Sequence, residues 1–248
     1  MLGKKHFWPG RPQSIIKLDA VGVPELHLTP ANPSEIKELQ VYQCLKTSNN
    51  IARFWRDVDS VRQGNTWVAK LPVLNVDDYV FSYANIRYQN DCVLSSDFEA
   101  VIPSNLGKAV ATDKKSDLIS DGTGQWSHVG PAEGVGSVQG FRPLDNRRGT
   151  RNIQFSDPKW KAPQGSKLSF RFYCTQPQKV ILSANRRFTT ELEITASNDW
   201  QSMTLPAKQL LSHGVGLIDW SVADSIGIMP KAGSDITKVV FAEFKWVK

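Results

Sequence analysis

Apolar and polar residues alternate along most of this chain, most clearly between residues 166 and 246. From residue 167 to residue 174 every second side chain is apolar, which is the period of a strand with one buried face. Three more strand-like pieces follow, at residues 199–206, 218–224 and 236–246, and each is closed by a turn-forming residue. The second half is therefore predicted to be a β-sandwich of about eight to ten strands, with one helical turn at residues 207–213.

The first half repeats this alternation in shorter pieces. Between residues 25 and 102 the pattern predicts about six or seven strands, and the alternation is strict over residues 79–88. Short strands with frequent turns indicate an antiparallel sandwich of the immunoglobulin or fibronectin type. Residues 1–24 have no sustained period and are interpreted as a linker. We therefore predict an all-β chain with an immunoglobulin- or fibronectin-like domain at residues 25–105 and a jelly roll at residues 106–248.

One glycine-rich segment interrupts the second pattern. Residues 130–149 show no apolar period and are interpreted as a long loop. Trp126 and Trp160 flank it, and the densest basic cluster, Arg147, Arg148 and Arg151, lies at its end. Long loops in β-domains often carry function, so these five residues are our candidates for a ligand site. The pattern leaves open whether the two tryptophan rings are exposed or buried.

Composition narrows the function classes. The 248 residues are 40% hydrophobic and 22% charged, which is typical of a folded globular protein. The net charge of +6 is spread along the chain, and the cluster at residues 147–151 is too short for a nucleic-acid-binding tail. No apolar run approaches the ~18 residues of a membrane helix. The first residues lack the apolar core of a signal peptide, and they are interpreted as the interior of a longer protein. We therefore expect neither nucleic acid nor membrane as a partner.

The three cysteines are widely spaced and do not show zinc-ligand spacing. Cys44 and Cys174 lie in apolar strand patterns, where a buried thiol is the ordinary interpretation. A bridge between Cys44 and Cys92 within the first domain is an alternative that the sequence leaves open.

Several short segments of the second half resemble a known class of module. The order is a Trp-led strand ending in Leu-Pro, a short turn, a second Trp, a Gly-Ile strand and a closing alternating strand. This resembles the galactose-binding-like jelly rolls of carbohydrate-binding families and of accessory domains in secreted bacterial hydrolases. The segments are WQSMTLP at 200–206, KQLL at 208–211, IDW at 218–220, SIGI at 225–228 and VVFAEFKW at 239–246.

The first half resembles the β-sandwich that follows the catalytic α/β-hydrolase domain in certain bacterial enzymes. The segments concerned are ARFWR at 52–56, TWVAKLP at 66–72 and FSYANIRY at 81–88. The resemblance implies a C-terminal accessory region, located outside the cytoplasm, whose catalytic domain is not in this chain. The sequence agrees, because the segment closest to a nucleophile elbow, residues 136–140, has Val135 where the motif needs its first glycine.

The resemblance also implies two ligands. A sugar would stack on exposed aromatic rings, here Trp126 and Trp160, while arginines bind its hydroxyl groups. A structural Ca²⁺ would use carboxylates of the first and last strands, at positions that match Asp117, Asp121 and Glu243. Solvated acidic residues without a metal are the simpler interpretation, since calcium loops usually contain more oxygen ligands.

A catalytic pair of carboxylates is a weaker interpretation. Glu191 and Glu193 share one face of a predicted strand, but a glycosidase needs two carboxyl groups across a substrate cleft. We therefore expect a non-catalytic region that binds carbohydrate or supports an enzyme domain. The alternative is a purely structural or oligomerisation module.

Overall fold

The computed structural model describes residues 8–46, 53–121, 125–133, 136 and 138–248. It divides into two compact units, Met1–Lys114 and Lys115–Lys248. Every strand pair in the described residues is antiparallel, and the helices described are short 3₁₀ turns. The predicted all-β class is therefore confirmed. Among these residues no helix is long and apolar enough to cross a membrane.

Unit 1 is a sandwich of two sheets. One sheet has the order β1-β2-β6-β5, and the other has the order β4-β3-β7-β8 with β9 also paired to β7. The four strands of the first sheet and the five strands of the second follow the strand order of immunoglobulin-type folds, as predicted. The strands are β1 (Gln13–Leu18), β2 (Pro24–Thr29), β3 (Ile36–Leu45), β4 (Arg56–Val58), β5 (Ser60–Gln63), β6 (Thr66–Lys70), β7 (Val80–Tyr88), β8 (Val93–Ser95) and β9 (Glu99–Val101).

The core of unit 1 is mainly aliphatic. Leu26, Leu28, Leu71 and Ile86 are completely buried between the two sheets. Strand β7 supplies this core with every second residue, because successive side chains of a strand point to opposite faces. The other face of β7 therefore points away from the core.

The predicted linker at residues 1–24 is wrong from residue 13 onward. Strand β1 pairs with β2 over its whole length, and Ile16 is 3% exposed in the core. Two adjacent isoleucines break the period of two in this six-residue strand, so its periodic signal is weak. Residues 1–7 of the predicted linker lie outside the described residues.

The predicted boundary after residue 105 also lies too early. Arg56 Nη1 and Asp113 Oδ2 form an ion pair at 2.5 Å, and both side chains are almost fully buried. The backbone N–H groups of Thr112 and Asp113 donate to the carbonyl of Val73. These contacts assign residues 106–114 to unit 1, although their polar composition suggested a connector.

Unit 2 is a sandwich of two six-stranded sheets. One has the order β11-β12-β21-β14-β17 with β10 also paired to β21, and the other has the order β13-β20-β15-β16-β18-β19. The strands are β10 (Leu118–Ser120), β11 (Val129–Glu133), β12 (Gln139–Pro143), β13 (Thr150–Asn152), β14 (Lys167–Tyr173), β15 (Gln178–Ala184), β16 (Phe188–Ile194), β17 (Gln201–Leu205), β18 (Leu211–Ser212), β19 (Val215–Gly216), β20 (Ile226–Pro230) and β21 (Val240–Val247).

Two local predictions in unit 2 are wrong. The glycine-rich segment at residues 130–149 is largely the hairpin of β11 and β12, and Phe141 of β12 is 1% exposed in the core. The segment at 218–224 is not a strand, because a 3₁₀ turn at Trp220–Val222 turns the Trp220 ring inward. The predicted turn after Pro206 is present as the 3₁₀ turn Ala207–Gln209.

The cysteines do not pair. Cys44, Cys92 and Cys174 are all free thiols, and Cys44 and Cys174 are buried. Cys44 lies opposite Phe81 at the start of β7, whereas the Cys92 carbonyl accepts from Tyr88 N–H at the end of β7. Seven residues of strand separate these two positions by roughly 23 Å, which excludes the Cys44–Cys92 bridge.

Candidate functional site

Six aromatic residues lie on the side of the β4-β3-β7-β8 sheet that points away from the core of unit 1. Strand alternation places two of them on β7 and one on β3, and the other three lie at strand ends. Two of the rings, Tyr79 and Phe98, belong to residues that are 50% exposed. We call this surface the aromatic face, and it consists of Tyr42, Trp55, Tyr79, Phe81, Tyr83 and Phe98.

The rings of the aromatic face are in direct contact with one another. Tyr42 and Tyr83 lie opposite each other in the ladder and stack with centroids 5.1 Å apart. Phe81 stacks with Tyr79 and with Phe98, at 5.7 Å in both cases. Trp55 joins the two groups, because its ring meets Tyr83 and Phe98 nearly at right angles, at 4.9 and 6.0 Å. Such mutual packing fixes the rings before any ligand arrives.

One arginine is packed into the aromatic face. The Arg53 guanidinium lies 4.4 Å from the centroid of Phe81 and 5.3 Å from that of Phe98. Its Nε is buried and has no hydrogen-bond partner. The two aromatic rings hold the guanidinium in place by cation–π attraction.

The phenol of Tyr83 is a hydrogen-bond donor at neutral pH. Burial raises the pKa of Tyr83 above its ordinary value of 10.0, and the nearby Tyr42 and Asp57 raise it further. The Tyr42 hydroxyl donates to Gln40 Oε1 at 2.7 Å, which connects the rings to the polar side chains beside them.

A row of polar side chains continues the aromatic face along β3 and β7. Gln40 lies opposite Asn85, and Glu38 lies opposite Arg87. Asn85 Oδ1 accepts from Ser95 Oγ at 2.7 Å, and Gln40 Nε2 donates to Glu38 Oε1 at 2.9 Å. The side chains of Glu38, Gln40, Asn85 and Arg87, together with Val93, surround a shallow depression of about 230 Å³. We call these five residues the polar row.

Sequence reasoning placed the ligand site elsewhere, and Trp126 shows why. Trp126 is only 7% exposed, and its ring lies 4.7 Å from both Phe141 and Phe244. It forms a β-bridge with Asn152, so it belongs to the sandwich and not to a loop. The interpretation of Trp126 as an exposed platform is therefore wrong, because the segment beside it forms a hairpin that covers the ring.

The other four predicted site residues have different surroundings. Trp160 is half-buried, and its carbonyl accepts from Trp246 Nε1 at 2.9 Å. Arg147 and Arg148 are exposed, and their backbone N–H groups donate to Asp145 Oδ1. Arg151 is half-buried and donates through Nη2 to Ser225 Oγ at 3.0 Å. The two tryptophans therefore offer no shared exposed platform.

The three acidic residues that were predicted to bind calcium lie on or near the first and last strands of unit 2. The expected pairing of the first and last strands of unit 2 is present, since β10 pairs with β21. However, Glu243 Oε1 lies 3.0 Å from Arg171 Nη1, and Asp117 is exposed. In the part of the chain that the structure describes, no group of three His, Cys, Asp or Glu side chains could hold a metal ion. Calcium binding by Asp117, Asp121 and Glu243 stays a prediction.

The carboxylates on β16 are partners of lysines. Glu191 forms ion pairs with Lys231 at 2.7 Å and with Lys179 at 3.9 Å, and Glu193 pairs with Lys179 at 3.0 Å. The lysine partners lower the pKa of Glu191 through hydrogen bonding and charge attraction. A general acid needs a raised pKa, so this pair lacks the electrostatics of a glycosidase centre.

Unit 2 carries one smaller aromatic surface on the outer side of β14, β17 and β21. The Arg171 guanidinium lies 5.4 Å from the Trp200 ring centroid, and Tyr173 lies 6.1 Å from it. The Trp200 ring also covers Gly140 of β12, where an added Cβ would lie 3.2 Å from the ring. With two rings instead of six, this surface is the lesser candidate.

The aromatic face had a signal in the sequence. Over residues 79–84 the alternation has large aromatic side chains in one phase and small or aliphatic ones in the other. Only one phase faces a core in a two-layer sandwich, so the aromatic phase has to be surface or interface. The alternation predicts the strand, and the folded chain shows that the aromatic phase is the one that faces away from the core.

Comparisons with known proteins give only distant structural matches. No protein-family model matches the chain, and no curated protein matches it. A Bacteroides uniformis protein, SGBP-B from a complex xyloglucan utilization locus, aligns over 97% of this chain and 73% of its own, with 11% identity and a TM-score of 0.31. The surface glycan-binding protein PbSGBP-B of Prevotella bryantii aligns over 97% and 77%, with 8% identity and a TM-score of 0.31.

An enzyme gives a similar match. The exo-β-1,3-galactanase Pc1,3Gal43A of Phanerochaete chrysosporium aligns over 94% of this chain and 56% of its own, with 11% identity and a TM-score of 0.29. Scores this low assign neither a family nor a ligand.

Proposed function

We propose that unit 1 binds a carbohydrate chain on the aromatic face and the polar row. The observation that carries this proposal is the position of six aromatic rings on the solvent side of one sheet, although the core of the same unit is mainly aliphatic. Rings that pack against each other outside the core form a preorganised, apolar surface. The C–H faces of pyranose rings are apolar and stack on such surfaces.

The polar row supports a sugar over a purely apolar partner. It offers amide donors and acceptors at Gln40 and Asn85, a carboxylate at Glu38 and a guanidinium at Arg87. Sugar hydroxyl groups both donate and accept hydrogen bonds, so a mixed set of this kind suits them. The outward side chains of β7 are aromatic at Phe81 and Tyr83 and polar at Asn85 and Arg87. Stacking groups and hydrogen-bonding groups therefore lie along one line.

We further propose the setting that the family resemblance implies. The chain acts as a non-catalytic accessory region of a larger hydrolase outside the cytoplasm, and the carbohydrate site holds the enzyme near its substrate. The resemblance of the ARFWR, TWVAKLP and FSYANIRY segments supports this setting. The chain can be assayed for hydrolysis of any polysaccharide that it binds. The appearance of products would contradict the non-catalytic role.

The test is a binding screen followed by matched tryptophan variants. The panel contains xyloglucan, mixed-linkage glucan, β-1,3-galactan and other neutral polysaccharides, with binding followed by affinity electrophoresis and calorimetry. Replacing Trp55 by Ala removes the ring that joins the two stacked groups, and we expect it to lower affinity by about tenfold or more. The control is Trp8→Ala, because Trp8 is 74% exposed and lies outside the aromatic face.

Two further variants separate the sites. Tyr83→Ala is expected to weaken binding as Trp55→Ala does, whereas Trp160→Ala in unit 2 should leave it unchanged. Loss of binding in Trp160→Ala alone would return the site to unit 2 and contradict the proposal.

The aromatic face is also the observation that favours the alternative function, a structural module that self-associates. Analytical ultracentrifugation of the wild type and of Phe98→Ala decides between the two. A concentration-dependent dimer that Phe98→Ala dissociates, together with a panel that gives no binding, would replace carbohydrate binding by self-association.

A further inference from the structure

Four successive cross-strand pairs of β3 and β7 lie on the outer side of their sheet, and we call them the outer ladder. Two of the pairs contain rings of the aromatic face, and the other two belong to the polar row. The pairs are Cys44–Phe81, Tyr42–Tyr83, Gln40–Asn85 and Glu38–Arg87. Because outward positions recur at every second residue, Phe81 and Arg87 lie roughly 20 Å apart along β7. A ligand that contacts both ends therefore has to be an extended chain.

The polar end of the outer ladder is open to solvent. The side chains of Glu38 and Arg87 are 51% and 46% exposed, and Gln40 is exposed as well. Asn85 is half-buried, and its Oδ1 accepts from Ser95 Oγ, which leaves the amide nitrogen as a donor. Hydrogen-bond donors and acceptors are therefore both within reach of a ligand at this end.

The depression at the polar row is too small for an oligosaccharide. Its volume is about 230 Å³, which is below the roughly 300–1,000 Å³ of pockets that enclose a drug-sized ligand. A single sugar fits this space, so the other sugars of a bound chain have to lie on the rings. At the ring end Tyr79 and Phe98 are 50% exposed and available for stacking. The two ends therefore contact different sugars of one chain.

The arginines of this surface are already engaged. Arg87 Nε lies 3.5 Å from Glu38 Oε2, and Arg87 Nη1 lies 4.0 Å from Asp91 Oδ1. The Arg53 guanidinium is packed against two rings, and Asp57 of β4 adds an exposed carboxylate at the ring end. An anionic sugar would meet these carboxylates and would have to compete for a paired guanidinium. Like charges placed side by side disfavour binding, so a neutral sugar suits the surface better.

We propose that the site on unit 1 takes a neutral, extended glycan, with several consecutive sugars lying along β7 from the rings to the polar row. Carbohydrate as the ligand rests on the proposed function of unit 1, whereas the length and the charge follow from the outer ladder. Stacking at one end and hydrogen bonding at the other act on one molecule, so their contributions to the affinity combine.

The length is tested by calorimetry of the full chain with oligosaccharides of two, four and six sugars. They are prepared from the neutral polysaccharide of the panel that binds best, with mixed-linkage glucan as the first choice. We expect the affinity to rise by about tenfold or more between two and six sugars, because only the longer chains reach both ends. Equal affinity at all lengths would overturn the extended chain and leave the proposed function intact. A panel without any binding would contradict the proposed function itself.

Variants at the two ends test the path of the chain. Tyr83→Ala removes a ring, and Arg87→Ala removes a donor of the polar row. Both should weaken the hexasaccharide severalfold or more, whereas the disaccharide reaches one end and should be weakened by only one of them. Arg142→Ala is the matched control, because Arg142 is an exposed strand arginine of unit 2. If Arg87→Ala melts below the wild type, Gln40→Ala replaces it. Equal weakening of the disaccharide by both end variants, or weakening of the hexasaccharide by only one, would overturn the proposed path.

The charge is tested with a matched acidic probe. Oxidising the primary alcohols of the same hexasaccharide to carboxylates changes its charge and keeps its length. We expect the acidic form to bind severalfold more weakly than the neutral form, and salt to have little effect on the neutral form. Glu38→Gln should narrow this difference, because it removes a carboxylate and one partner of Arg87. Tighter binding of the acidic form that is lost at high salt would overturn the neutral ligand.

Discussion

Aromatic rings fill the interior of unit 2, whereas in unit 1 most of them line the outer side of one sheet. In unit 2 Phe170 stacks with Phe244 at 4.9 Å, and the Trp220 and Trp246 rings lie 5.8 Å apart within the core. In unit 1 Trp55 is in comparable contact with Tyr83, but outside the core. The ring geometry is similar in both places, so contact distances alone do not separate a core from a binding surface.

What separates the two regions is solvent exposure together with polar neighbours. Trp220 is completely buried, and its single polar atom is satisfied by the Leu205 carbonyl at 2.9 Å. The aromatic face instead continues into the polar row, and Arg53 in its midst keeps an unpaired N–H. A core buries its rings completely, whereas a surface that binds sugars needs exposed rings with polar side chains beside them.

The largest expected loss of stability comes from removing an aromatic ring in the core of unit 2. Trp220→Ala removes a fully buried ring and leaves the Leu205 carbonyl unpaired, so we expect it to lower the free energy of unfolding by about 3–5 kcal/mol. Trp55→Ala is the matched variant, and its half-exposed ring should cost no more than about 1 kcal/mol. Urea unfolding followed by circular dichroism measures both.

Equal losses of stability in the two variants would contradict the comparison. Trp55 would then be a structural residue, and the loss of carbohydrate binding in Trp55→Ala could not be assigned to a lost ligand contact.

A smaller loss of stability is expected from added volume beneath the smaller aromatic surface of unit 2. At Gly140 an added Cβ would lie 2.6 Å from the Phe241 carbonyl and 2.7 Å from Val240 Cγ1, as well as against Trp200. Gly140→Ala should therefore destabilise the protein by about 1–3 kcal/mol, the usual cost of overpacking. The control is Gly165→Ser, because the space around Gly165 is open, although its positive φ adds a small strain. Thermal melting of both variants checks the prediction, and unchanged stability in Gly140→Ala would contradict the close packing at Gly140.

The sequence was sufficient for the class and the general strand pattern, because strand alternation is a local property. It predicted β7, β14 and β17, and it predicted inward positions for Phe170 and Phe172. It failed where tertiary contacts decide the outcome. The hairpin of β11 and β12 is rich in glycine and is held by pairing with β21, which no local pattern reveals.

The site was harder to predict than the fold. Trp126 and Trp55 both stand next to irregular sequence, and only the folded chain shows that one ring is covered and the other is not. Phe98 lies far along the chain from Arg53 and Trp55, and the three meet on one face because β4, β3, β7 and β9 are neighbours in the sheet. Such convergence cannot be read from spacing.

The smallest expected effect concerns the acid that holds the Trp220 turn. Asp219 accepts hydrogen bonds from Ser221 N–H and from Gly165 N–H, both at 2.8 Å, and the hydrogen bonding to Ser221 lowers its pKa below 3.8. A carboxylate whose pKa is depressed by folding stabilises the fold above pH 3.8, and this contribution is lost as the pH falls through the lower folded value. Melting temperatures of the wild type and of Asp219→Asn between neutral and strongly acidic pH should therefore converge below pH 3.8.

Asp145→Asn is the control, because its carboxylate has a similarly lowered pKa but holds the exposed loop at Arg147 and Arg148. If the Trp220 fluorescence changed equally with pH in both variants, Asp219 would have no special part in positioning the core ring, and the buried side of the comparison would depend on packing alone.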